Sequence, residues 1–450
     1  MSDRDRADAV YETLLSRAGE RWVQPRKERV ARILSYLDDP QKTYRVVHIT
    51  GTNGKTSTAR IIESLLRAHE LRTGLFTSPH LERFTERIMI DGEPIADAAV
   101  GDAWDEIEPF VGIVDAELEA AGEDPLTFFE LLTVLAFVAV ADAPVDVLVL
   151  EVGMGGEWDS TNTADGDVAV FAPIDIDHAD RLGDTIAEIA AVKAGIIKEG
   201  AAVVSAQQPD EAAEVLRRVA AEKNATIAFE GEDFGLAEQK LAVGGQLLTI
   251  RGLAGEYVEE YLPLYGAHQG HNAALAVAAV ESLIGGASQA VAGDIVSEGL
   301  QAATSPGRLQ LIGIAPTVIV DAAHNPHGAS ALAQAMDDSF DFDEWGVVLG
   351  VLADKDAAGI VARLAPAAAH VFATAPDSER ASDADVLADL VEQAGRRVTV
   401  HPSLADAADA AREWAAASDR RAVVIAGSVV LAGEAIALAE EEDWKSGWRA

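Results

Sequence analysis

Cysteine is absent from the chain, which excludes disulfides, thiolate metal sites and thiol nucleophiles together. Positive charge is scarce. Lys and Arg number 35 against 75 Asp and Glu, a formal net charge of −40. That field repels phosphodiester backbones and anionic lipid headgroups, so nucleic acid and membrane surfaces are not expected as partners. Only nine of the basic residues are Lys. An acidic, Lys-poor surface fits a halophilic protein kept soluble in concentrated salt, where screening weakens self-repulsion; the alternative is a merely acidic protein. Long hydrophobic runs are missing too. The longest, around Leu131–Ala141, is well short of a membrane span, and Met1–Arg32 is dense in charge without the apolar segment of a signal peptide. The expectation is a cytoplasmic protein.

Apolar residues, by contrast, are plentiful. With 49% hydrophobic and 24% charged residues over 450 positions, the chain can bury several cores, and its length suits two or three domains. Residues 8–38 carry helical spacing. A β-rich run, Tyr44–Thr50, then leads through Gly51 into a helical pattern over Ser57–His69. Further apolar strands are expected at Val145–Leu150, Val168–Ile174 and Ala201–Ser205, separated by helices at Phe128–Val140 and Ile186–Ile197. Alternation of this kind predicts a mostly parallel α/β sheet. Residues 235–265 read as a hairpin or meander, and Asn272–Leu283 as an Ala-rich helix. Ser-Pro-Gly near Thr304–Arg308 breaks the pattern, after which strands recur at Thr317–Asp321, Gly346–Val351, His370–Ala373, Val398–His401 and Ala422–Ala426. We therefore divide the chain into residues 1–304 and 305–450, the second a smaller α/β domain.

Gly51-Thr52-Asn53-Gly54-Lys55-Thr56-Ser57 follows a strand and opens a helix, the setting a phosphate cradle needs. Its glycines let backbone N–H groups and the helix N-terminus face an anion, Lys55 adds charge, and Thr56 or Ser57 can reach Mg²⁺. The loop is a shortened variant of G-x-x-x-x-G-K-[ST]. No Asn-Lys-x-Asp guanine reader accompanies it, which argues against a switch GTPase. Glu151 ends the strand Val145–Leu150 and His178 follows Val168–Ile174, so both are expected at the carboxyl edge of the sheet, where α/β ligands bind. Mg²⁺ takes oxygen ligands and borrows phosphates, and a second ion near His178 needs another oxygen. Lys193 stands in an apolar helical context in a chain that otherwise avoids Lys. It either snorkels to water or, desolvated, adds CO2 as a carbamate, and the residues alone leave both readings open.

Taken together these segments resemble the Mur-type ATP-dependent amide ligases, and within them the folylpolyglutamate synthase/dihydrofolate synthase enzymes. The resemblance spans nearly the whole chain and rests on Val46–Ser57, Thr77-Ser78-Pro79-His80-Leu81, Glu86-Arg87-Ile88, Leu126–Glu130, Glu151–Gly156, Asp177-His178 and Lys193-Ala194-Gly195-Ile196. It continues in His268-Gln269 with Asn272, Pro306-Gly307-Arg308, Asp321 with His324-Asn325-Pro326, Lys355-Asp356 and Gly427-Ser428. It implies a three-layer ATP-binding domain followed by a Rossmann-like domain. Ser78, Glu151 and His178 are then expected as Mg²⁺ ligands, with Lys193 as a carbamylated lysine serving two-ion chemistry. Thr52–Lys55 within Gly51–Ser57, Asn272, Arg308 and Asp321 are expected at the nucleotide, and His324 near the reacting phosphate. Thr127, Phe128, Phe129, Glu130, Trp158, Asp159 and Ser160 are expected to line a pteroate pocket, with His80 beside it unless it is only a structural histidine. Lys55, Lys193, Arg308 and His324 are the candidate catalytic groups.

The activity so implied is ATP-dependent joining of L-glutamate to a dihydropteroate or folate carboxylate through an acyl phosphate, by a monomer whose two domains close. A ligase of the same mechanism acting on another carboxylic acid is the alternative. Three positions depart from the family pattern: Thr56 where folate members usually have Gly, Glu157 where they have Arg, and Ala322-Ala323 in place of Gly-Ala.

Overall fold

The computed structural model describes residues 1–19, 26–177 and 179–445. Its first sheet has the strand order β4-β3-β2-β5-β1-β6-β7-β8, with β1 Arg45–Thr50, β2 Thr73–Phe76, β3 Ile88–Ile90, β4 Glu93–Pro94, β5 Val147–Glu151, β6 Val168–Phe171, β7 Ala202–Ser205 and β8 Thr226–Phe229. The six strands from β2 to β8 in that order are parallel, and β3 and β4 run antiparallel at one edge.

Central strands of such a sheet are covered on both faces, which is why they read as continuous Val, Ile and Leu rather than as alternation. Successive side chains feed opposite cores: Val47, Ile49, Val147 and Val149 pack with the helices Lys55–Ala68 and Ala267–Gly285, while Val46, Leu148 and Leu150 pack with Asp97–Ala120 and Phe128–Asp142. The latter helix is apolar all round because it is buried, and Thr127 and Glu130 start it with a reciprocal capping box. Residues 8–38 are not one helix. Asp3–Leu15 and Glu28–Tyr36 are separate, and the helix Lys55–Ala68 starts two residues earlier than its apolar spacing suggests, at the loop lysine itself.

The meander expected over 235–265 is a three-stranded antiparallel sheet, β9 Gly235–Ala242, β10 Gly245–Arg251 and β11 Glu256–Leu262. Glu281, fully buried on the helix Ala267–Gly285, anchors it by accepting from the backbone N–H of Leu253 (2.5 Å) and Gly255 (3.0 Å) and from the Tyr257 hydroxyl (2.8 Å).

Residues 302–309 lead into a six-stranded sheet of order β12-β13-β17-β14-β15-β16: β12 Gln310–Ile314, β13 Thr317–Asp321, β14 Glu344–Leu349, β15 His370–Ala373, β16 Val398–Val400 and β17 Arg421–Ala426. All pairs but β12 with β13 are parallel. The two sheets meet closely. A Cβ on Gly433, in the helix Val429–Glu441, would lie 2.0 Å from the carbonyl oxygen of Leu81, so only glycine lets the 77–81 segment seat there. Among the described residues, no helix is long and apolar enough to cross a membrane.

Candidate active site

A cleft of about 1080 Å³ lies where the carboxyl ends of β1, β5 and β6 face that of β13. Residues 51–57 form its floor. Gly54 is left-handed (φ 84°) and a Cβ there would sit 2.8 Å from Asn272 Oδ1, so glycine is required both for the turn and for the approach of the helix that carries Asn272. Lys55 donates Nζ to the carbonyls of Gly51 (3.2 Å) and Thr52 (3.1 Å). Burial holds its ammonium below the usual range, partly countered by the charges of Glu151 and Asp177.

Glu151, the last residue of β5, is buried and takes the Thr56 hydroxyl at 3.0 and 2.9 Å and the backbone N–H of Ser78. Burial pushes its carboxyl up, and the Lys55 charge pulls it back. A carboxylate and two hydroxyl-bearing residues, Thr56 and Ser78, thus converge beside the phosphate loop. These are hard oxygen donors and a buried negative charge, the donor set Mg²⁺ prefers, with room for phosphate oxygens. His178 lies outside the described residues, and among those described no three His, Asp or Glu side chains cluster as a complete metal site.

Lys193 is 3% exposed and does not snorkel. Its Nζ donates to the Gly51 carbonyl at 2.8 Å, and burial, with Lys55 nearby, lowers its pKa to about 7. A large neutral fraction at physiological pH makes this amine a nucleophile.

From the second sheet come Asp321, His324 and Asn325. Asp321 accepts from the N–H groups of Leu309 (2.9 Å) and Ala323 (2.8 Å), which ties the loop bearing Arg308 to the turn bearing His324. The His324 Nδ1 lies 3.0 Å from the Ala322 carbonyl, which can only accept, so the ring proton sits on Nδ1 and Nε2 is an acceptor. Burial lowers its pKa to about 4. Arg308 lies among these groups, close enough to influence Asp321, Glu151 and His324. Asn272 and His268 line the same wall; burial holds His268 near pKa 4.

The other end of the cleft is lined by His80, Thr127, Phe129, Glu130, Trp158, Asp159 and Ser160. Phe128 is a correction. It turns away from the cleft into the core, 4% exposed, under the Arg87 guanidinium and beside Tyr11, because successive helical residues point about 100° apart and Phe129 takes the cleft side. Glu130 is occupied by its capping bond to the Thr127 N–H (2.7 Å) and an ion pair with buried Arg29 (3.4 Å). Asp159 accepts from the N–H groups of Met154 and Thr161 and shapes the turn after Glu151. His80 accepts at Nδ1 from Arg87 Nε (2.8 Å), which fixes its proton on Nε2. Arg26, Arg87, Lys355 and Arg380 also line the cleft and were given no role from the sequence. Part of their signal was available: Lys355 and Arg380 are cations on the loops that follow β14 and β15 in a cation-poor chain.

The Mur ligase middle domain model matches residues 49–280, and the Mur ligase glutamate ligase domain model matches residues 307–429. The dihydrofolate synthase/folylpolyglutamate synthase of Mycobacterium tuberculosis is 46% identical over 444 residues, covering 92% of this chain and 91% of that protein. The chain belongs to the dihydrofolate synthase/folylpolyglutamate synthase family. A solved member, the M. tuberculosis folylpolyglutamate synthase complexed with ADP and AMPPCP, superposes with a TM-score of 0.91 at 44% identity, covering 97% of this chain and 99% of that one. An Escherichia coli member solved with DHPP and ADP gives a TM-score of 0.83 at 30% identity, covering 97% of this chain and 98% of that one. Membership of this family accounts for the two sheets and for their meeting at one cleft.

Proposed function

We propose that the protein joins L-glutamate to the carboxylate of dihydropteroate, of a reduced folate, or of both, with ATP converted to ADP and phosphate. The observation that carries this reading is the convergence of the phosphate loop and the Asp321–Asn325 turn on one cleft whose far end is apolar and aromatic. A carboxylate acylates poorly until one of its oxygens is phosphorylated. The substrate carboxylate attacks the γ-phosphorus, the bridging oxygen bond breaks, and ADP leaves with that electron pair. Lys55 and Arg308 offset the charge that develops. The glutamate amine then attacks the acyl carbon and phosphate departs as the amide forms. The amine must shed a proton, which the departing phosphate can take, and neutral His324, with Nε2 as an acceptor, can orient the amine N–H by a hydrogen bond.

Thr56, Ser78 and Glu151, with His178, would hold Mg²⁺, which when bound neutralises the phosphate oxygens and polarises the group under attack. Lys193 would carry CO2 as a carbamate, its neutral Nζ bonding to carbon with release of a proton, and the carbamate would supply oxygen ligands for a second ion. Thr52–Ser57, Asn272, Arg308 and Asp321 are the nucleotide side, and Phe129, Trp158, Ser160 and His80 the pteroate side. Glu157 in place of Arg weakens anion attraction at that rim. The acidic, Lys-poor composition supports salt adaptation, and denaturation midpoints that fail to rise with KCl would remove that reading.

Mass spectrometry of products after incubation in molar KCl with Mg-ATP and L-glutamate tests the function, with dihydropteroate in one tube and tetrahydrofolate in another. Product in both means two activities, and product in one assigns the single step. Product in neither, with ATP still bound, transfers the ligase to another carboxylic acid.

A further inference from the structure

The phosphate loop touches the second domain through a side chain. Asn53 lies at the centre of the loop, and its amide meets two residues of the turn after β13: Asn325 Nδ2 is 3.2 Å from Asn53 Oδ1, and His327 Nδ1 is 2.9 Å from Asn53 Nδ2. Oxygen and nitrogen of a side-chain amide are assigned from their partners, so the direction of such a chain needs an anchor whose chemistry admits one answer. The backbone supplies it. Asn325 caps the helix Pro326–Ser339 by accepting the Gly328 N–H at 2.8 Å, and a backbone N–H can only donate. The capping atom is therefore Oδ1, the atom facing Asn53 is Nδ2, Asn53 answers with Oδ1, and its own Nδ2 is left to donate to His327. His327 must then carry its proton on Nε2.

We propose that Asn53, Asn325 and His327 form a latch that holds the second domain closed on the phosphate loop, and that the Asn325 cap sets the direction of every hydrogen bond in it. These are positioning residues. His324 lies between β13 and the capped helix, one residue before Asn325, so the latch fixes the distance from His324 to Lys55 across the cleft. Nucleotide phosphates would order the 51–57 backbone, and that order reaches the second domain through Asn53 at this turn and through Ser57, whose hydroxyl lies 2.9 Å from that of Ser305. The inference rests on the ligase reading only for its kinetic readout.

Asn325→Asp keeps the cap acceptor but replaces the donor facing Asn53 with a second acceptor. Asn53 then turns over and presents Oδ1 to His327, which must move its proton to Nδ1. Nitrogen-15 spectra of the histidine rings are expected to show His327 with a protonated Nε2 in the wild type and a protonated Nδ1 in Asn325→Asp; the same tautomer in both overturns the assigned direction. His327→Ala removes one latch bond without touching the cap. The absence of native cysteine allows paired spin labels at Glu214→Cys and Glu392→Cys, on exposed helical positions of the two domains. With nucleotide bound, the parent and Asn325→Asp, whose latch bonds re-form in the reversed direction, are expected to give one interdomain distance, and His327→Ala a second, longer population. An unchanged distribution in His327→Ala overturns the latch, and this readout needs no folate. In turnover, His327→Ala is expected to lose roughly two- to tenfold in kcat, the worth of one neutral hydrogen bond, with KM for ATP nearly unchanged. A loss confined to ATP affinity would mean that these residues serve the nucleotide alone.

Discussion

Each of the two sheets ends an inner strand in a buried carboxylate at the same cleft, and the two carboxylates are held differently. Glu151, at the end of β5, has a side-chain hydroxyl and one backbone N–H as partners, with a lysine ammonium nearby. Asp321, at the end of β13, gives each oxygen to a backbone N–H of its own domain. The first can trade its hydroxyl for a cation at little structural cost. The second cannot be released without loosening the loops that carry Arg308 and His324. The same topological position thus supplies chemistry in one domain and architecture in the other.

The largest effect expected from breaking this division is on the chemical side. Lys193→Ala should lower kcat by roughly a thousandfold while ATP affinity changes only a few-fold, because the oxygen ligand and charge of the proposed carbamate are lost but the phosphate cradle remains. Near-wild-type turnover would remove Lys193 from the chemistry. Stability should respond with the opposite sign. A folded-state pKa near 7 lies below the unfolded value, so the folded state binds fewer protons between pH 7 and about 10.5, and the cost of burying the amine is greatest at and below pH 7. In CO2-free buffer, Lys193→Met should raise unfolding free energy by on the order of 3 kcal/mol at pH 6, the gain shrinking as pH rises. A pH-independent difference would contradict that protonation state.

Glu151→Gln should come next, with about a hundredfold loss in kcat/KM and a Mg²⁺ titration moved to higher concentration, read by ATP binding at graded Mg²⁺. Its fold should be little disturbed. Asp321→Asn should do the reverse: one backbone N–H loses its acceptor, so roughly 1–3 kcal/mol of stability is lost, read by chemical denaturation. If Glu151→Gln were the more destabilising of the two, the division would be wrong. Smallest is Thr56→Gly, which removes the Glu151 hydroxyl partner and should shift the Mg²⁺ midpoint two- to fivefold.

Much of this was legible before any coordinates. The phosphate loop, the ends of β1 and β13 and the break before β12 were marked by local chemistry: a glycine, a lysine, a run of β-branched residues, a Ser-Pro-Gly; β5 runs one residue past its expected end, to Glu151, and β6 stops at Phe171, three residues short of Ile174. The elements that escaped notice carry no such mark. β2 is four residues long, β3 is three and β4 is two, and their pairing is set by the neighbouring strand rather than by their own composition. Phe128 was misplaced for a related reason. A motif read as a block assigns all its side chains to one surface, whereas consecutive helical residues point about 100° apart. Arg87 sits in a recognised motif, yet its role in fixing the His80 proton depends on a contact across seven residues that no spacing rule foretells.

The bond from Lys193 Nζ to the Gly51 carbonyl joins two sites in one thermodynamic cycle. Anything that alters the donor, whether a proton gained or a carbon bonded, alters the first peptide of the phosphate loop, and a ligand on that loop must change the affinity of Lys193 for the proton or for CO2 by the same factor. With Lys193 carrying CO2 as proposed, the dissolved carbon dioxide of the medium and the nucleotide supply of the cell would be coupled variables for this enzyme, and a nucleotide affinity measured in degassed buffer would be a different quantity from one measured in equilibrium with bicarbonate.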